Sequence, residues 1–418
     1  MKVVHIHTGA KGPQDACLRI HKALLSQGVD SKVLTRFGGG DPFVYEAQES
    51  SLNRYIPPQN KIIRKIKNKL RKRGFCLLPT EVYDRAIWLL WEKHKDVCFT
   101  ASYSSYDLAE HPLVKEADVI HLHWVQNFLD FESFFKKMAE VNKPIVWTIH
   151  DLNPMMGGFH YDRELEKYYE EFRMVEDAMY EIKRRAYKNY KNLHLIALSS
   201  MMKNRISSHE FFAGKPIYTV LNVISEKEFR LLDKRLAREA IGLETQKTIV
   251  LYISSNLNNV RKGFSQCVKA LDCEEFKHLI LVCVGDGEVP TTEYLSVRHF
   301  NSVKGNEWLS LLYSAADCFV NSSYEESFGL ITVEAMLCGT PVVMTPTGIA
   351  KDIINEDNGV VCEDFSVESI AKAIKCVLSR QYDSTHIRES AIAQVCPEKI
   401  AKDYIAVYEV VMKNCGRL

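Results

Sequence analysis

A chain of 418 residues is long enough for two or three domains, and 46% hydrophobic with 26% charged residues is the make-up of packed cores under an ordinary soluble surface. With 54 Lys and Arg against 53 Asp and Glu, the net charge is +1; this excludes a global field for nucleic acid and leaves any electrostatic partner to a local patch. No apolar run approaches the roughly 18 residues of a membrane span. The twelve cysteines are scattered and form no CxxC pair, so they read as reduced, buried thiols of a cytosolic protein, not as disulfides or a zinc site.

The N-terminal stretch MKVVHIHTGAKG reads as a strand running into a turn; without a long apolar region or a cleavage site, no signal peptide is expected. Residues 2–8 form that strand. Residues 14–27 carry Ala16, Cys17, Ile20, Ala23 and Leu24 at helical spacing, and Gly28 ends them. A strand returns at 32–35. Further strands are expected at 118–124, 143–150 and 194–200, largely apolar on both faces, as in a parallel sheet covered by helices.

The pattern restarts near residue 247. Strands at 248–254, 279–285, 318–323 and 341–345 alternate with helices near 264–272, 306–316, 329–338 and 366–379. Two successive strand–helix series predict an α/β chain with two doubly wound, Rossmann-like domains. The expected boundaries are 1–215, 216–395 and a last amphipathic helix within 396–418. The crossing falls in 212–229.

One segment breaks the pattern. Residues 60–75, NKIIRKIKNKLRKRGF, hold eight Lys or Arg and no acid, with Ile62, Ile63, Ile66 and Leu70 on one helical face. A basic amphipathic helix of this kind suits an anionic membrane surface. A nucleic-acid role lacks any accompanying aromatic platform or motif. A solvated face whose isoleucines pack on the domain is the plain alternative.

The most informative stretch is 324-YEESFGLITVEAMLCGTPVV-343, where Glu326 and Glu334 stand eight positions apart. Glu326 falls in the loop after a strand, at the sheet edge where open α/β folds bind ligands. The next helix is expected to begin near Phe328–Gly329 and to stop at Gly339 and Pro341. Its first amides, around Gly329 and Leu330, could hold an anion, and Gly329 would let a ligand approach the backbone closely. A nucleotide-diphosphate sugar suits that arrangement, with phosphates on the amides, the ribose on Glu334 and the sugar on Glu326. The bland reading makes both carboxylates solvated. Glu325 is read as a surface acid.

These residues resemble the E-x7-E motif of retaining GT-B glycosyltransferases of the family 4 type, the glycosyl transferases group 1. The match is carried by Glu326, Phe328-Gly329-Leu330 and Glu334-Ala335-Met336, and by 304-KGNEWLSLLYSAADCFVNSSYEESFGL-330. Lys262-Gly263 and Gly285 after strands, His150-Asp151 and Asn222 agree with it. The stretches 118-DVIHLHW-124 and 147-WTIHDLNPMMGGFHY-161 look closest to bacterial capsule and exopolysaccharide transferases. The resemblance implies a GT-B fold, two Rossmann-like domains facing across a cleft, with a C-terminal helix crossing back toward the N-terminal domain.

It also implies a donor that is a UDP- or GDP-sugar, and a saccharide acceptor of the lipid-linked kind. Lys262 would bind the diphosphate, with Arg261 beside it. Glu326 would hold the sugar and Glu334 the ribose, while His150 faces the sugar with Asp151 next to it. Gly9 and Gly12 would form a loop toward phosphate or acceptor. With no Asp-x-Asp motif at a strand end, no metal is expected, and cations of the chain would neutralise the diphosphate.

The implied location is cytoplasmic, including a peripheral place on the inner face of the membrane. Two readings compete with a transferase: a non-catalytic sugar-nucleotide-binding protein, and another GT-B enzyme such as an epimerase. The sequence departs from the family at four points: Asn256 and Leu257 stand near the usual phosphate-binding arginine, Ala10-Lys11-Gly12-Pro13 replaces a Gly-Gly turn, Thr347-Gly348 replaces another, and Ser225 stands where an aspartate usually follows the crossing asparagine.

Overall fold

The computed structural model describes residues 1–9, 15–38, 41–49, 69, 79–188, 190–244 and 246–416. The expected basic helix at 60–75, Lys69 apart, and Gly12 lie outside the described residues. The chain divides into two units. One holds residues 1–196, 205–218 and 404–418, and the other holds 197–204 and 219–403.

The first unit is built on a seven-stranded sheet in the order β3-β2-β1-β4-β5-β6-β7. Its strands are β1 (Lys2–Gly9), β2 (Asp30–Phe37), β3 (Val44–Glu46), β4 (Val119–Leu122), β5 (Ile145–Ile149), β6 (Leu193–Ala197) and β7 (Ile217–Thr219). Strands β1–β2, β1–β4, β2–β3 and β4–β5 pair in parallel. The order reverses between β1 and β4, so that edge is the switch point of a doubly wound sheet. Asp15 starts the helix Ala16–Ser26 by accepting from the Leu18 amide. Gly28 follows its end at a φ of +77°, in the left-handed region.

Both faces of β1 and β4 are buried, as their sequence runs require, but one face is not apolar. His5, His7, His121 and His123 project there with Thr148 of β5, each buried, under the helix Ala16–Ser26 and the C-terminal stretch carrying Tyr404 and Tyr408. The sequence reading of strands apolar on both faces is therefore corrected. Successive strand residues alternate faces, so the alternate histidines in VHIHT and IHLH share one side.

The 27-residue helix Asp162–Lys188 was not expected. Its charges dominate its composition, and only a stripe including Phe172, Val175, Met179 and Ile182 is buried. On that stripe the carboxylate of Glu176 accepts the amides of Gly157 and Gly158, both at 2.6 Å. A side chain at Gly158 would sit 2.3 Å from the Phe99 ring, so this turn requires glycine.

The second unit has a six-stranded sheet in the order β10-β9-β8-β11-β12-β13. These are β8 (Thr248–Asn256), β9 (Leu279–Asp286), β10 (Ser296–Phe300), β11 (Cys318–Asn321), β12 (Val342–Met344) and β13 (Gly359–Val361), paired in parallel throughout. Two cores cover it, one on each face. Leu251, Val282, Phe319 and Val342 face one, and Val250, Leu281, Val320 and Val343 face the other. The sheet order reverses between β8 and β11, which makes their carboxyl ends the crevice where such sheets bind ligands.

The helices Phe264–Leu271, Asn306–Ala315, Leu330–Leu337 and Val367–Leu378 match the expected ones. The strands β3, β7, β10 and β13 were not anticipated. All but β10 have three residues, and all four stand at or beside a sheet edge, so none needs a distinctive apolar run. Among the described residues, no helix is long and apolar enough to cross a membrane. The cysteines among them are free.

Candidate active site

The sequence-derived residues fall into two groups, one in each unit. In the second unit, β8 and β11 end side by side, and each is followed by a candidate. After β8, Asn259 caps a short 3-10 turn, Val260–Lys262, by accepting the Arg261 amide at 3.0 Å. Gly263 then takes a φ of +72° and starts the helix Phe264–Leu271. A side chain there would meet the Ser322 carbonyl oxygen at 2.0 Å, so only glycine lets the two loops lie this close. The Ser322 hydroxyl donates to the Gly263 carbonyl at 2.8 Å, and the Tyr252 hydroxyl to the Lys262 carbonyl at 2.8 Å. The backbone under Lys262 is thus pinned from both neighbouring strands.

The Lys262 ammonium, Nζ, donates to Oε1 of Glu326 at 2.6 Å. The Ser323 hydroxyl donates to the same oxygen at 2.9 Å, and the Glu326 amide donates to the Thr347 hydroxyl at 3.0 Å. Burial alone would raise the Glu326 carboxyl, but the charge of Lys262, its hydrogen bond and nearby Arg261 outweigh it and hold the group below its ordinary value. Glu326 is a carboxylate at neutral pH. Its partner keeps two further N–H donors, and the Lys262 side chain is 23% exposed, so it remains able to meet an anion.

Arg261 Nη1 donates to the Glu325 carbonyl at 3.0 Å. This corrects Glu325 from a surface acid to a half-buried one.

Gly329 caps the helix Leu330–Leu337 in the left-handed region, at a φ of +104°. Helical structure begins at Leu330, close to the expected start. Glu334 lies in the second turn, 9% exposed, and receives the Tyr313 hydroxyl on Oε2 at 3.1 Å. The solvated reading of Glu334 does not fit this burial. Gly348 keeps the close-approach role left by the sequence departure at 347: at a φ of +56°, a side chain there would lie 2.3 Å from the Phe328 carbonyl oxygen. Gly285, near the end of β9, has the same duty, since a Cβ would sit 1.7 Å from the Ser254 carbonyl oxygen. Asn222 is buried.

In the first unit, Gly9 closes β1 beside Phe37 of β2. His150 follows β5, partly exposed, with Nε2 3.1 Å from Nδ1 of His123. Burial lowers its pKa to about 4, with His7 adding to the effect, so the ring is neutral. Asp151 points inward. Its Oδ2 receives Trp124 Nε1 at 2.8 Å and lies 2.7 Å from His160 Nδ1, while Oδ1 receives the Asn153 amide at 3.0 Å. Burial disfavours charge on both partners, yet each is held charged by the other. Asp151 is lowered, and His160 is raised to about 10. Asp151 therefore anchors the turn that carries His150.

Sequence reasoning missed His7, whose Nε2 lies 2.8 Å from the Asp15 carboxylate, and the buried His5, His121 and His123. The alternating H-x-H in VHIHT and IHLHW was the available signal.

Residues 233–394 match the family model described as Glycosyl transferases group 1. An uncharacterized glycosyltransferase of Methanocaldococcus jannaschii is 26% identical over 324 residues, 73% of this chain and 78% of that protein. The lipopolysaccharide glucosyltransferase WaaG of Escherichia coli is 28% identical over 187 residues, 40% of this chain, which spans about half of that relative (49%). A crystal structure of HepE from Anabaena in complex with UDP superimposes with a TM-score of 0.58 at 16% identity, covering 98% of this chain and 100% of that one. The matched segment contains Lys262, Glu326 and Glu334. Residues 233–394 are thus similar to the glycosyl transferases group 1, and the two doubly wound sheets have the GT-B fold.

Proposed function

We propose that the protein is a retaining glycosyltransferase of the family 4 type that moves a sugar from a UDP- or GDP-sugar to a saccharide acceptor. The observation that carries this reading is the 2.6 Å pair of Lys262 and Glu326 at the carboxyl ends of the switch-point strands β8 and β11. A cation able to meet a diphosphate there stands beside a carboxylate able to accept sugar hydroxyls. Glu334, buried one helical turn further along, accepts the ribose.

In this reading the bond from the anomeric carbon to the diphosphate breaks, and its electron pair leaves with the phosphate. The acceptor hydroxyl attacks from the same face and gives its proton to a leaving phosphate oxygen. Lys262 and Arg261 stabilise the charge that grows on the diphosphate, so no metal is required. Glu326 orients the sugar, and it is not the nucleophile. Gly329 and Leu330 lend helix-terminal amides to the phosphate, Gly285 allows close approach, and His150 and Gly9 serve the acceptor side, with Asp151 holding the turn that carries His150. A lipid-linked saccharide as acceptor, polysaccharide synthesis as the setting and peripheral membrane docking by 60–75 complete the proposal. They rest on the sequence resemblance and on the name of the relative WaaG.

Calorimetric titration with UDP, GDP, ADP and their sugars tests the reading. One nucleoside diphosphate and its sugar should bind, with nucleotide release when a saccharide acceptor is added. Absence of binding to every nucleotide would overturn it.

A further inference from the structure

A line of polar side chains crosses the buried face of the seven-stranded sheet and ends at His150. Nε2 of His150 meets Nδ1 of His123 at 3.1 Å, and Nε2 of His123 meets Nδ1 of His5 at 2.9 Å. Nε2 of His5 meets the Ser31 hydroxyl at 3.1 Å, which meets Nδ1 of His21 at 2.7 Å. His123, His5, Ser31 and His21 are each at most 2% exposed, so water does not substitute for these partners.

Every ring is neutral. Burial is the largest cause at each: it holds His5 and His123 well below their ordinary value and lowers His21 and His150 to about 4. A neutral imidazole has one N–H and one lone pair, and a hydroxyl has one proton. Each contact must therefore have one donor, and across each imidazole one choice dictates the next. If His150 donates from Nε2, then His123 donates to His5, His5 to Ser31 and Ser31 to His21. Otherwise all four bonds run the other way. Only Ser31 allows a mixture, because its hydroxyl oxygen can accept from His5 and His21 together; the three contacts from His150 to Ser31 always run one way.

We propose that His123, His5, Ser31 and His21 are positioning residues that hold His150 in a single tautomer, so that its outward Nδ1 presents one fixed hydrogen-bonding character to the substrate. Resting on His150 as a substrate-side group, the inference deepens the proposed transferase reading. Among the described residues Nδ1 of His150 has no hydrogen-bond partner, which leaves it for a hydroxyl of the sugar or acceptor. Reversing that tautomer would require the three bonds from His150 to Ser31 to turn together, and hydrogen bonds in such chains reinforce one another.

The groups packed against the line do not break the rule. His121 lies with its ring centroid 4.0 Å from that of His123, but its own nitrogens are taken by the Tyr408 hydroxyl at 2.7 Å and the Thr148 hydroxyl at 2.8 Å. His7 is held by Asp15. Cys17 approaches His5 and His123, yet burial pushes its thiol well above the ordinary value. The 2.9 Å separation of the two histidine nitrogens is that of a shared proton and leaves no room for a cation between them.

Nitrogen-15 NMR of the histidine rings in the full chain tests this, with His150 assigned through a His150→Gln variant. The wild-type ring should show one protonated and one bare nitrogen, a single tautomer. Ser31 is three hydrogen bonds away from His150, so Ser31→Ala should average or reverse the His150 signals, and Ser31→Thr, which keeps the hydroxyl, should restore them. His21→Phe repeats the test at the far end if the Ser31→Ala protein does not fold. An unchanged His150 tautomer in folded Ser31→Ala or His21→Phe would overturn the proposal, and so would stoichiometric zinc in the purified protein. The NMR readout needs no turnover. A tautomer that moves in a protein binding no nucleotide upholds the wire while the transferase reading fails; nucleotide turnover with an unmoved tautomer does the reverse.

Discussion

Nζ of Lys262 and Oε1 of Glu326 are 64 residues apart in sequence and 2.6 Å apart in space. Neither residue is positioned by its own local structure alone. The order β8 next to β11, with β9 and β10 on the far side, puts the two loops together. Gly263 and Ser322 then let them touch.

Lys262→Ala should lower turnover of the donor. A charge-assisted contact contributes about 1.5–3 kcal/mol, which corresponds to roughly a 10- to 100-fold fall in kcat/KM. Steady-state assays of nucleotide release measure it. Wild-type turnover in this variant would sink the assignment of Lys262 to the diphosphate.

Removing the buried carboxylate in Glu334→Ala should weaken nucleoside diphosphate binding about tenfold, the cost of roughly one hydrogen bond to a charged group. Pyrophosphate, which lacks the ribose, should bind as before. Calorimetry with both ligands separates the cases. Equal losses for the two would show that Glu334 supports the fold of the site and does not read the sugar ring.

Gly263→Ala should reduce both stability and donor binding. Its Cβ would stand 2.0 Å from the Ser322 carbonyl oxygen, at a φ of +72°. The strained backbone costs on the order of 1–3 kcal/mol, and relief of the clash would shift Lys262 away from Glu326. Thermal unfolding together with nucleotide titration reads both effects, and a variant with unchanged Tm and affinity would contradict the close approach of the two loops.

The Asp151–His160 pair gives stability a pH signature. His160 is raised from 6.5 to about 10 when folded, so its contribution is fully present below pH 6.5 and is lost as the pH rises toward 10. Asp151 is lowered below its ordinary 3.8, so its contribution is present above that value and is lost as the pH falls through the folded one. Asp151→Asn should therefore be destabilised most between about pH 4 and 6.5, and the gap to wild type should narrow from pH 6.5 to 10. Urea unfolding across that range tests the sign. A gap that widens with rising pH would refute the charged pair.

Much of this was legible in the sequence because it is local. The strands at 248–254 and 279–285 announce themselves as apolar runs, and the helices near 264–272 and 366–379 by their spacing. Glu326 and Gly329 could be placed at a strand end and a helix start by counting alone. The helix Asp162–Lys188 was not legible, since its surface charges outnumber the residues of its buried stripe. The short edge strands β3, β7 and β13 were not either, since an edge strand takes its pairing from one neighbour and needs little pattern of its own.

What the sequence determined by itself is the alternation of strand and helix, the restart near residue 247 and the residue types at each strand end, because side-chain periodicity and turn chemistry act over a few residues. Only the tertiary structure decided what those strand ends meet. It brought Lys262 to Glu326 and Glu334 to Tyr313, turned Asp151 inward to His160, and joined His150 through His123 and His5 to Ser31. Such pairings depend on which strands lie side by side, and in a doubly wound sheet each crossover can carry the chain past several neighbours before it returns.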